Sequence, residues 1–274
     1  MASAPVRTQR QHPASPDQLS RRWNRVFDRL PPFSDAPSTS YYLECEQDLL
    51  DRYVGPLQGL RVLKLDLWNE AKNTRVLRWM IEQRAQAYGI DISPNVVSAA
   101  LGIFNDGIRP SQLLVSDARS LPFHDAQFDL VYTMGTVEHF ADTDSAIAEI
   151  HRVLRPGGHA VVGVPNKHDP FLRPLLVHVM NLLHAYPYGY ERSYTAAELS
   201  RLMAAAGFED VQLSGVLFMP GVLRMLDLFC FCYARPLSHL SGLMVHPFRW
   251  AYRASKSARR HGYLVAAIGR KAVP

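Results

Sequence analysis

Three groups of titratable side chains follow apolar runs of strand length, and residues in such positions could do chemistry. Asp91 and Asp117 each stand at the end of such a run, and the adjacent Glu138 and His139 closely follow a third. An ionised carboxylate accepts several hydrogen bonds, and an imidazole with a pKa near neutral pH can take up or release a proton. The pattern indicates a site that binds polar hydrogens and moves a proton.

The elements that must position these residues are apolar runs alternating with helical patterns. The predicted strands are RVLKLDL (61–67), AQAYGIDI (85–92), QLLVSDA (112–118), FDLVYTM (128–134), HAVVGVP (159–165), EDVQLSG (209–215) and GYLVAAIGRKA (262–272). The clearest predicted helices are 73–83, 94–104, 142–154 and 195–208. This alternation predicts an α/β fold, a doubly wound and mostly parallel seven-stranded sheet with helices on both faces. Its ligand site is expected at the carboxyl ends of the strands.

The composition is that of a folded protein with a sizeable core. Of the 274 residues 47% are hydrophobic and 20% are charged, which excludes the class of disordered chains. The three cysteines have neither paired nor metal-type spacing, so we expect no disulfide framework and no metal site. No apolar stretch near the amino terminus is typical of a secretion signal, which predicts a cytoplasmic location.

The domain organisation follows from shifts in composition. Residues 1–40 are rich in Pro, Ser, Gln and Arg and predict a flexible arm, within which RRWNRVFDRL (21–30) is amphipathic enough for a docking helix. Residues 41–274 are predicted to form one domain with apolar helical inserts at 169–194 and 216–261. Neither insert has the uninterrupted apolar length of a spanning helix.

Four segments between Leu60 and Gly215 carry a family resemblance. They are YGIDIS, SDARSLPFHDAQFDLVYTMGTVEHF, its last part MGTVEHF, and EIHRVLRPGGHAVVGVPN. With these segments the chain resembles the class I S-adenosylmethionine-dependent methyltransferases, especially the small-molecule enzymes of quinone biosynthesis. The resemblance implies a Rossmann-like methyltransferase fold and S-adenosylmethionine as cofactor, with S-adenosylhomocysteine as product and no metal.

The resemblance also implies which residues would touch the adenosine part of the cofactor. Asp91, with Ile92 beside it, would accept hydrogen bonds from the ribose hydroxyls, although an Asp before Ser93 can also simply begin a helix. Asp117 and Ala118 would lie against the adenine. Further contacts are expected from Met134 and Gly135, which follow the next predicted strand.

The first loop departs from the family pattern of an acidic residue followed by G-x-G-x-G. This chain reads VLKLDLWNEAKNT, with no glycine from Arg61 to Tyr88. Either Asp66 or Glu70 could pair with the ammonium group of the cofactor while Asn69 donates to its carboxylate. Alternatively, the cofactor site has decayed and the domain binds a partner, or the fold serves another reaction.

The substrate side of the resemblance rests on the segment after the fifth predicted strand. His139 or Glu138 would remove a proton from the acceptor atom, and the alternative for this pair is a purely architectural role. The cluster YGYERSYT offers Tyr190, Arg192 and Tyr194 as substrate contacts, unless its charges form only an exposed ion pair. The apolar helical pattern LLVHVMNLLH before it is typical of core packing, of a lid or of a membrane contact.

The function predicted from the whole is methyl transfer to an oxygen or nitrogen atom of a small, hydrophobic molecule. The positive net charge of +5 is not accompanied by a nucleic-acid-binding motif, so no nucleic acid partner is expected. The apolar inserts and the basic stretch YRASKSARRHGY (252–263) instead predict a peripheral membrane contact, or a homodimer. The alternatives are an inactive binding subunit and an enzyme that uses the same fold for another reaction.

Overall fold

A seven-stranded sheet forms the centre of the computed structural model, which describes residues 15–104, 109 and 112–274. The strands are β1 (Arg61–Leu65), β2 (Gln86–Asp91), β3 (Leu113–Val115), β4 (Phe128–Met134), β5 (Leu154–Pro165), β6 (Phe208–Val216) and β7 (Leu264–Lys271). Their order in the sheet is β3-β2-β1-β4-β5-β7-β6. The first five strands run parallel, and β7 is antiparallel to both β5 and β6. The predicted doubly wound, mostly parallel sheet is confirmed.

Helices cover both faces of the sheet. They are α1 (Pro16–Arg29), α2 (Pro37–Tyr53), α3 (Trp68–Lys72), α4 (Val76–Glu82), α5 (Pro94–Ile103), α6 (Thr143–Val153), α7 (Arg173–Leu182), α8 (Ala196–Ala205), α9 (Gly221–Tyr233), α10 (Ser238–Ala254) and α11 (Lys256–Arg260). One apolar layer contains Leu49 and Leu77, and the opposite layer contains Ile147 and Leu199. Both faces of the central strands are therefore buried, as their continuous apolar sequences require.

The helix predicted over 73–83 is shorter in the structure, where α4 begins only at Val76, and a separate short helix, α3, precedes it. Arg75, between α3 and α4, has a left-handed backbone with φ 58° and interrupts the helical path. The carboxylate of Glu70 accepts hydrogen bonds from the backbone N–H groups of Leu77, at 3.0 Å, and Arg78, at 3.4 Å. Glu70 thus satisfies free donors in the first turn of α4, as a capping side chain does.

The described part of the predicted arm, residues 15–40, packs against the domain. Ser15 and Gln18 form a capping box that begins α1, and Val26 on its inner face is buried. The ammonium group of Lys72 donates hydrogen bonds to the carbonyl oxygens of Phe27 and Leu30, where the helix ends. The amphipathic pattern of 21–30 therefore corresponds to a docked helix.

The two apolar inserts supply α7 and the helices α9, α10 and α11. The first follows β5, and the second connects β6 to β7. Over the described ranges we find no helix with both the length and the apolar character needed to cross a bilayer. α7 and α9 contact each other beside the carboxyl ends of the parallel strands, so the inserts lie where a ligand site is expected.

Candidate active site

A cavity of about 440 Å³ lies at the carboxyl ends of β1, β2 and β4, beneath α1, α7 and α9. Nine residues singled out from the sequence line it, namely Asp66, Asn69, Asp91, Ile92, Ala118, Met134, Gly135, Glu138 and His139. Five others are not part of its lining, namely Glu70, Asp117, Tyr190, Arg192 and Tyr194. The fold therefore gathers most of the predicted residues into one place and directs the rest elsewhere.

Asp91 lies on the cavity wall between β2 and α5. Its Oδ1 accepts the backbone N–H of Ser93 at 2.8 Å, and its Oδ2 accepts that of Leu67 at 3.0 Å. Each oxygen retains lone-pair capacity for a further donor, such as a ligand hydroxyl. Burial, together with the negative charge of Asp66, raises the pKa of Asp91 to about 7. The carboxylate is therefore a stronger acceptor above neutral pH than below it.

Asp117 turns away from the cavity toward Arg119. The guanidinium lies 2.6 Å from its Oδ2, and the backbone N–H of Arg119 donates to its Oδ1 at 2.9 Å. Although burial acts in the opposite direction, these hydrogen bonds lower the pKa of Asp117. Its neighbours Ser116 and Ala118 line the cavity in its place. An Arg two residues after the Asp is the signal that could have indicated this pairing.

The glycine-free loop turns at Asp66, whose backbone φ of 99° is unusual for a residue with a side chain. Its Oδ1 accepts the N–H of Trp68 at 2.7 Å, and its Oδ2 accepts the amide of Asn69 at 3.1 Å. Leu67 is fully buried away from the cavity, and a Cβ added at Gly89 would lie 2.6 Å from its Cδ2. Because Gly89 in β2 has no side chain, there is space for the Leu67 side chain of the loop.

Glu70 lies behind the loop and is fully buried. Its Oε1 is 3.6 Å from the ammonium group of Lys64, a buried lysine of β1 that the sequence analysis did not identify as part of the site. Although burial favours the neutral form, the charges of Asp66 and Glu70 raise the pKa of Lys64. Of the two carboxylates considered for the ammonium group of a cofactor, only that of Asp66 lines the cavity.

Gly135 lets the chain turn directly after β4. It has a φ of 84°, which a residue with a side chain rarely adopts, and its N–H donates to the carbonyl of Gly163 at 2.9 Å. Met134 lies against Gly163, where an added Cβ would be 1.9 Å from the methionine sulfur. The turn brings the backbone of β4 up to the cavity without a side chain in the way.

Glu138 and His139 lie in a short 3-10 turn after β4, and the side chains of both are buried. The Nδ1 of His139 lies 2.7 Å from the carbonyl oxygen of Tyr190, so Nδ1 must carry the hydrogen and Nε2 is left as an acceptor. Burial lowers the pKa of His139; burial and the charge of Glu191 raise the pKa of Glu138 well above its usual range. Both shifts favour the uncharged forms, a neutral imidazole and a neutral carboxyl group.

The polar group on the substrate side is built around Arg173. Its guanidinium makes two hydrogen bonds with the carboxylate of Glu191, at 2.7 and 3.0 Å, and Tyr186 also donates to that carboxylate. All three residues line the cavity, and the Nε of Arg173 has no hydrogen-bond partner among the residues that the structure describes. An Arg and a Glu flanking an otherwise apolar insert were the signal for this pair.

The three predicted substrate residues lie just outside this group. Tyr190 contributes its backbone carbonyl to His139 while its side chain is exposed. The side chain of Arg192 is 53% exposed and lies 4.0 Å from Glu198. Tyr194 is buried, with its hydroxyl 2.9 Å from that of Thr143. Arg192 is thus a surface residue, and Tyr194 has a partner in the core.

Aromatic side chains join α1 to the rest of the cavity wall. The ring of Trp23 lies 5.0 Å from that of His139 and 6.3 Å from that of Trp68, and Trp68 lies 6.3 Å from Tyr188. The guanidinium of Arg22 donates to the carbonyl oxygen of Tyr188. α1 therefore covers His139 with an apolar surface. A tryptophan in an amphipathic patch was the signal for this contact.

One group of described residues has a geometry that could hold a metal ion. The ligand atoms of Glu138, His139 and Glu191 lie within 4.8 Å of one another. Glu191 is already held by Arg173, and burial raises the pKa of Glu138, which opposes the deprotonated form that a metal ligand needs.

Comparison with known proteins finds similarity to methyltransferases over part of the chain. Residues 58–162 match a family model described as a methyltransferase domain. The ubiquinone biosynthesis O-methyltransferase of Azoarcus sp. (strain BH72) is 29% identical over 145 residues, covering 52% of this chain and 62% of that protein. The O-methyltransferase cnsE of Penicillium expansum is 29% identical over 187 residues, covering 66% of this chain and 64% of that protein.

The chain thus spans less than two thirds of the length of both relatives. A crystal structure of an S-adenosylmethionine-dependent methyltransferase from Thermotoga maritima shares the fold. It has a TM-score of 0.56 and 18% identity, and the match covers 92% of this chain and 94% of that one.

Proposed function

The chain belongs to the class I S-adenosylmethionine-dependent methyltransferase family through its domain at residues 58–162, and on this premise we propose that it methylates a small, hydrophobic molecule. The observation that carries the proposal is a single cavity with two different ends. One end has Asp91 and Ala118 at strand termini, and the other has the buried His139 among apolar and aromatic side chains. The acceptor atom is an oxygen or a nitrogen, and a neutral imidazole acceptor favours a hydroxyl oxygen.

The residues at the first end fit S-adenosylmethionine. Asp91 presents carboxylate oxygens that keep lone pairs for ribose hydroxyls, and Ser116 and Ala118 offer a small, flat surface for the adenine. Gly135 leaves space beside the backbone, and Asp66 supplies a negative charge for the ammonium group. When bound, the cofactor supplies an electrophilic methyl group on sulfur, and S-adenosylhomocysteine remains after the transfer.

The chain's own residues then position the acceptor and take its proton. His139 accepts the hydroxyl proton at Nε2, because Nδ1 is fixed as a donor to the Tyr190 carbonyl. Trp23 and Trp68 keep water from the acceptor oxygen, and an acceptor held in line with the methyl group needs little further help. Burial raises the pKa of Glu138, which favours its neutral form beside the reacting atoms.

The test of this proposal is a methyl-transfer assay on the full chain. We would incubate it with S-adenosylmethionine and a panel of apolar phenols and alcohols, and measure S-adenosylhomocysteine together with the mass of the acceptor. Acceptor-dependent product that gains one methyl group supports the proposal. Binding of the cofactor without any methylated product would favour a different reaction on the same fold.

We also propose that the inserts place the cavity next to an anionic membrane surface. Large apolar side chains are exposed on the outer faces of α7, α9 and α10, including Leu182, Phe229 and Trp250 at 67, 59 and 72%. Residues 216–261 contain seven Lys and Arg against one Asp, Asp227, which is buried. Anionic headgroups attract basic side chains beside an apolar surface, which supports a membrane over a second copy of the chain.

A second candidate function rests on the glycine-free loop. Trp68 packs in that loop against Trp23 and Tyr188, where the family pattern has no large side chain. If this packing excludes the cofactor, the domain is a binding subunit whose apolar inserts hold a partner. Titration with the cofactor distinguishes the two functions, because the binding subunit predicts no heat of binding.

A further inference from the structure

A fully buried lysine, Lys64, lies in β1 just before the first loop. The family pattern has an acidic residue before the glycines, and this chain has Lys64 two residues before Asp66. The lysine side chain is completely buried, and its ammonium group donates to the carbonyl oxygen of Asp66. It lies 3.7 Å from the Asp66 carboxylate and 3.6 Å from that of Glu70. A buried ammonium is costly unless it is paired, so these contacts are required for the fold.

The two carboxylates that pair with Lys64 have different surroundings. Glu70 also accepts the N–H groups of Leu77 and Arg78 and lies outside the cavity lining. Asp66 accepts one N–H from Trp68 and one from Asn69, and it lines the cavity. The lysine therefore connects a structural carboxylate with one that a ligand can reach.

We infer that Lys64 is a positioning residue, which holds the Asp66 carboxylate on the cavity wall as the acceptor for the ammonium group of an S-adenosyl amino acid. The inference rests on the proposed function. In this chain one buried ion pair would shape the loop that glycines shape in the family pattern. Lys64 stabilises the left-handed turn at Asp66, because its ammonium group contacts both the carbonyl oxygen and the carboxylate of that residue. The alternative is that Lys64 only neutralises Glu70.

Several charged and titratable groups act on Asp66 and must be considered with it. They are Lys64 on β1, Tyr42 on α2, Glu70 on α3, Asp91 at the end of β2 and Glu138 after β4. Only Lys64 among these is a cation. Burial raises the pKa of Asp66, and Lys64 opposes the rise, so removal of the lysine moves the ionisation of Asp66 to higher pH.

The first experiment titrates the full chain with S-adenosylhomocysteine in a calorimeter across a range of pH. The variant K64M/E70Q removes one positive and one negative charge, so the net charge of the cluster is unchanged. We expect about tenfold weaker binding than by the parent at neutral pH, as loss of one charged hydrogen bond gives, and a smaller difference from the parent as the pH rises toward about 8. Asp227→Asn is the matched control, because Asp227 is a buried acid outside the cavity lining.

A second variant keeps the inference testable if K64M/E70Q does not fold. Asp66→Asn leaves the pair of Lys64 and Glu70 in place, and we would titrate it with S-adenosylhomocysteine and with 5′-methylthioadenosine, which lacks the amino acid part. We expect about tenfold weaker binding of the first ligand and unchanged binding of the second, as loss of one charged hydrogen bond predicts.

Two results would overturn the inference while leaving the proposed function in place. One is binding by K64M/E70Q that equals the parent at every pH or is weakened equally at every pH. The other is an Asp66→Asn variant that treats the two ligands alike. A parent protein that binds neither ligand would instead contradict the proposed function as well.

Discussion

His139 and Glu138 are neighbours in one turn, yet their environments predict different consequences of substitution. His139→Ala removes the proton acceptor and should lower kcat by about 10²-fold or more, the usual contribution of a general base. Burial favours the neutral form of the Glu138 carboxyl group, and Glu138→Gln supplies a neutral amide of similar shape, so we expect a small effect. Steady-state kinetics of the two variants, with cofactor affinity measured separately, checks the assignment.

The pH dependence of the parent provides an independent control for this prediction. Burial lowers the pKa of His139, so the base stays deprotonated to more acidic pH than an ordinary imidazole, and the acid limb of kcat should lie below pH 6.5. A large loss in Glu138→Gln with full activity in His139→Ala would reverse the roles of the two residues.

Asp91 and Asp117 are a second pair of residues whose substitutions should have different effects. The family resemblance implies a cofactor contact from each, but only Asp91 lines the cavity, and Asp117 is held by Arg119. Asp91→Asn should weaken S-adenosylhomocysteine binding by about tenfold or more, because a charged acceptor is lost. Asp117→Asn should bind nearly as the parent does.

Calorimetric titration of both variants measures the difference. Equal losses in the two would mean that Asp117 turns toward the ligand when the ligand binds. The sequence alone could not tell which of the two residues lines the cavity, because both stand near the end of a predicted strand. The ion pair of Asp117 with Arg119 depends on the local backbone geometry.

Gly89 and Leu67 show how two neighbouring elements compensate for one another. A Cβ at Gly89 would meet the Leu67 side chain at 2.6 Å, so Gly89→Ala should destabilise the fold by about 1–3 kcal/mol through overpacking. In a double-mutant cycle, Gly89→Ala should cost less in a Leu67→Ala background than in the parent, because the crowded side chain is then gone. Chemical denaturation measures both, and a neutral Gly89→Ala would show that Leu67 has room to move.

The contact of α1 with the cavity predicts a protease-sensitive helix when it is weakened. Trp23→Ala removes the rings' contacts with His139 and Trp68, so trypsin should cleave faster at the exposed Arg25 of α1. Trp250→Ala is the control, because Trp250 is 72% exposed on α10. Equal cleavage rates in both variants would contradict the docking of α1 by Trp23.

Much of the element order could be predicted, because strands such as FDLVYTM and helix starts such as Ser93 and Thr195 have strong local signals. The break between α3 and α4 could not. It depends on a carboxylate, Glu70, that accepts N–H groups seven and eight residues later, and helical periodicity does not report such a contact. The positions of α1, α7 and α9 over the cavity likewise depend on packing between segments that are distant in sequence, so they could not be predicted.

At the scale of the whole molecule, the apolar and basic insert surface predicts membrane binding. The chain should co-sediment with vesicles of anionic phospholipid and much less with neutral ones, and salt should weaken the binding. The double variant L182E/F229E should abolish it, because both side chains are exposed on the proposed surface. Sedimentation of a dimer that this variant dissociates, without vesicle binding, would identify the surface as a subunit interface.

The central claim is that the glycine-free cavity binds the methyl donor. Calorimetric titration of the full chain with S-adenosylmethionine tests it most directly, since the measurement needs no acceptor. We predict one site per chain with micromolar affinity, and competition by S-adenosylhomocysteine. Absence of binding would contradict the proposed methyltransferase function, and would mean that Trp68 and its aromatic neighbours exclude the cofactor from the cavity.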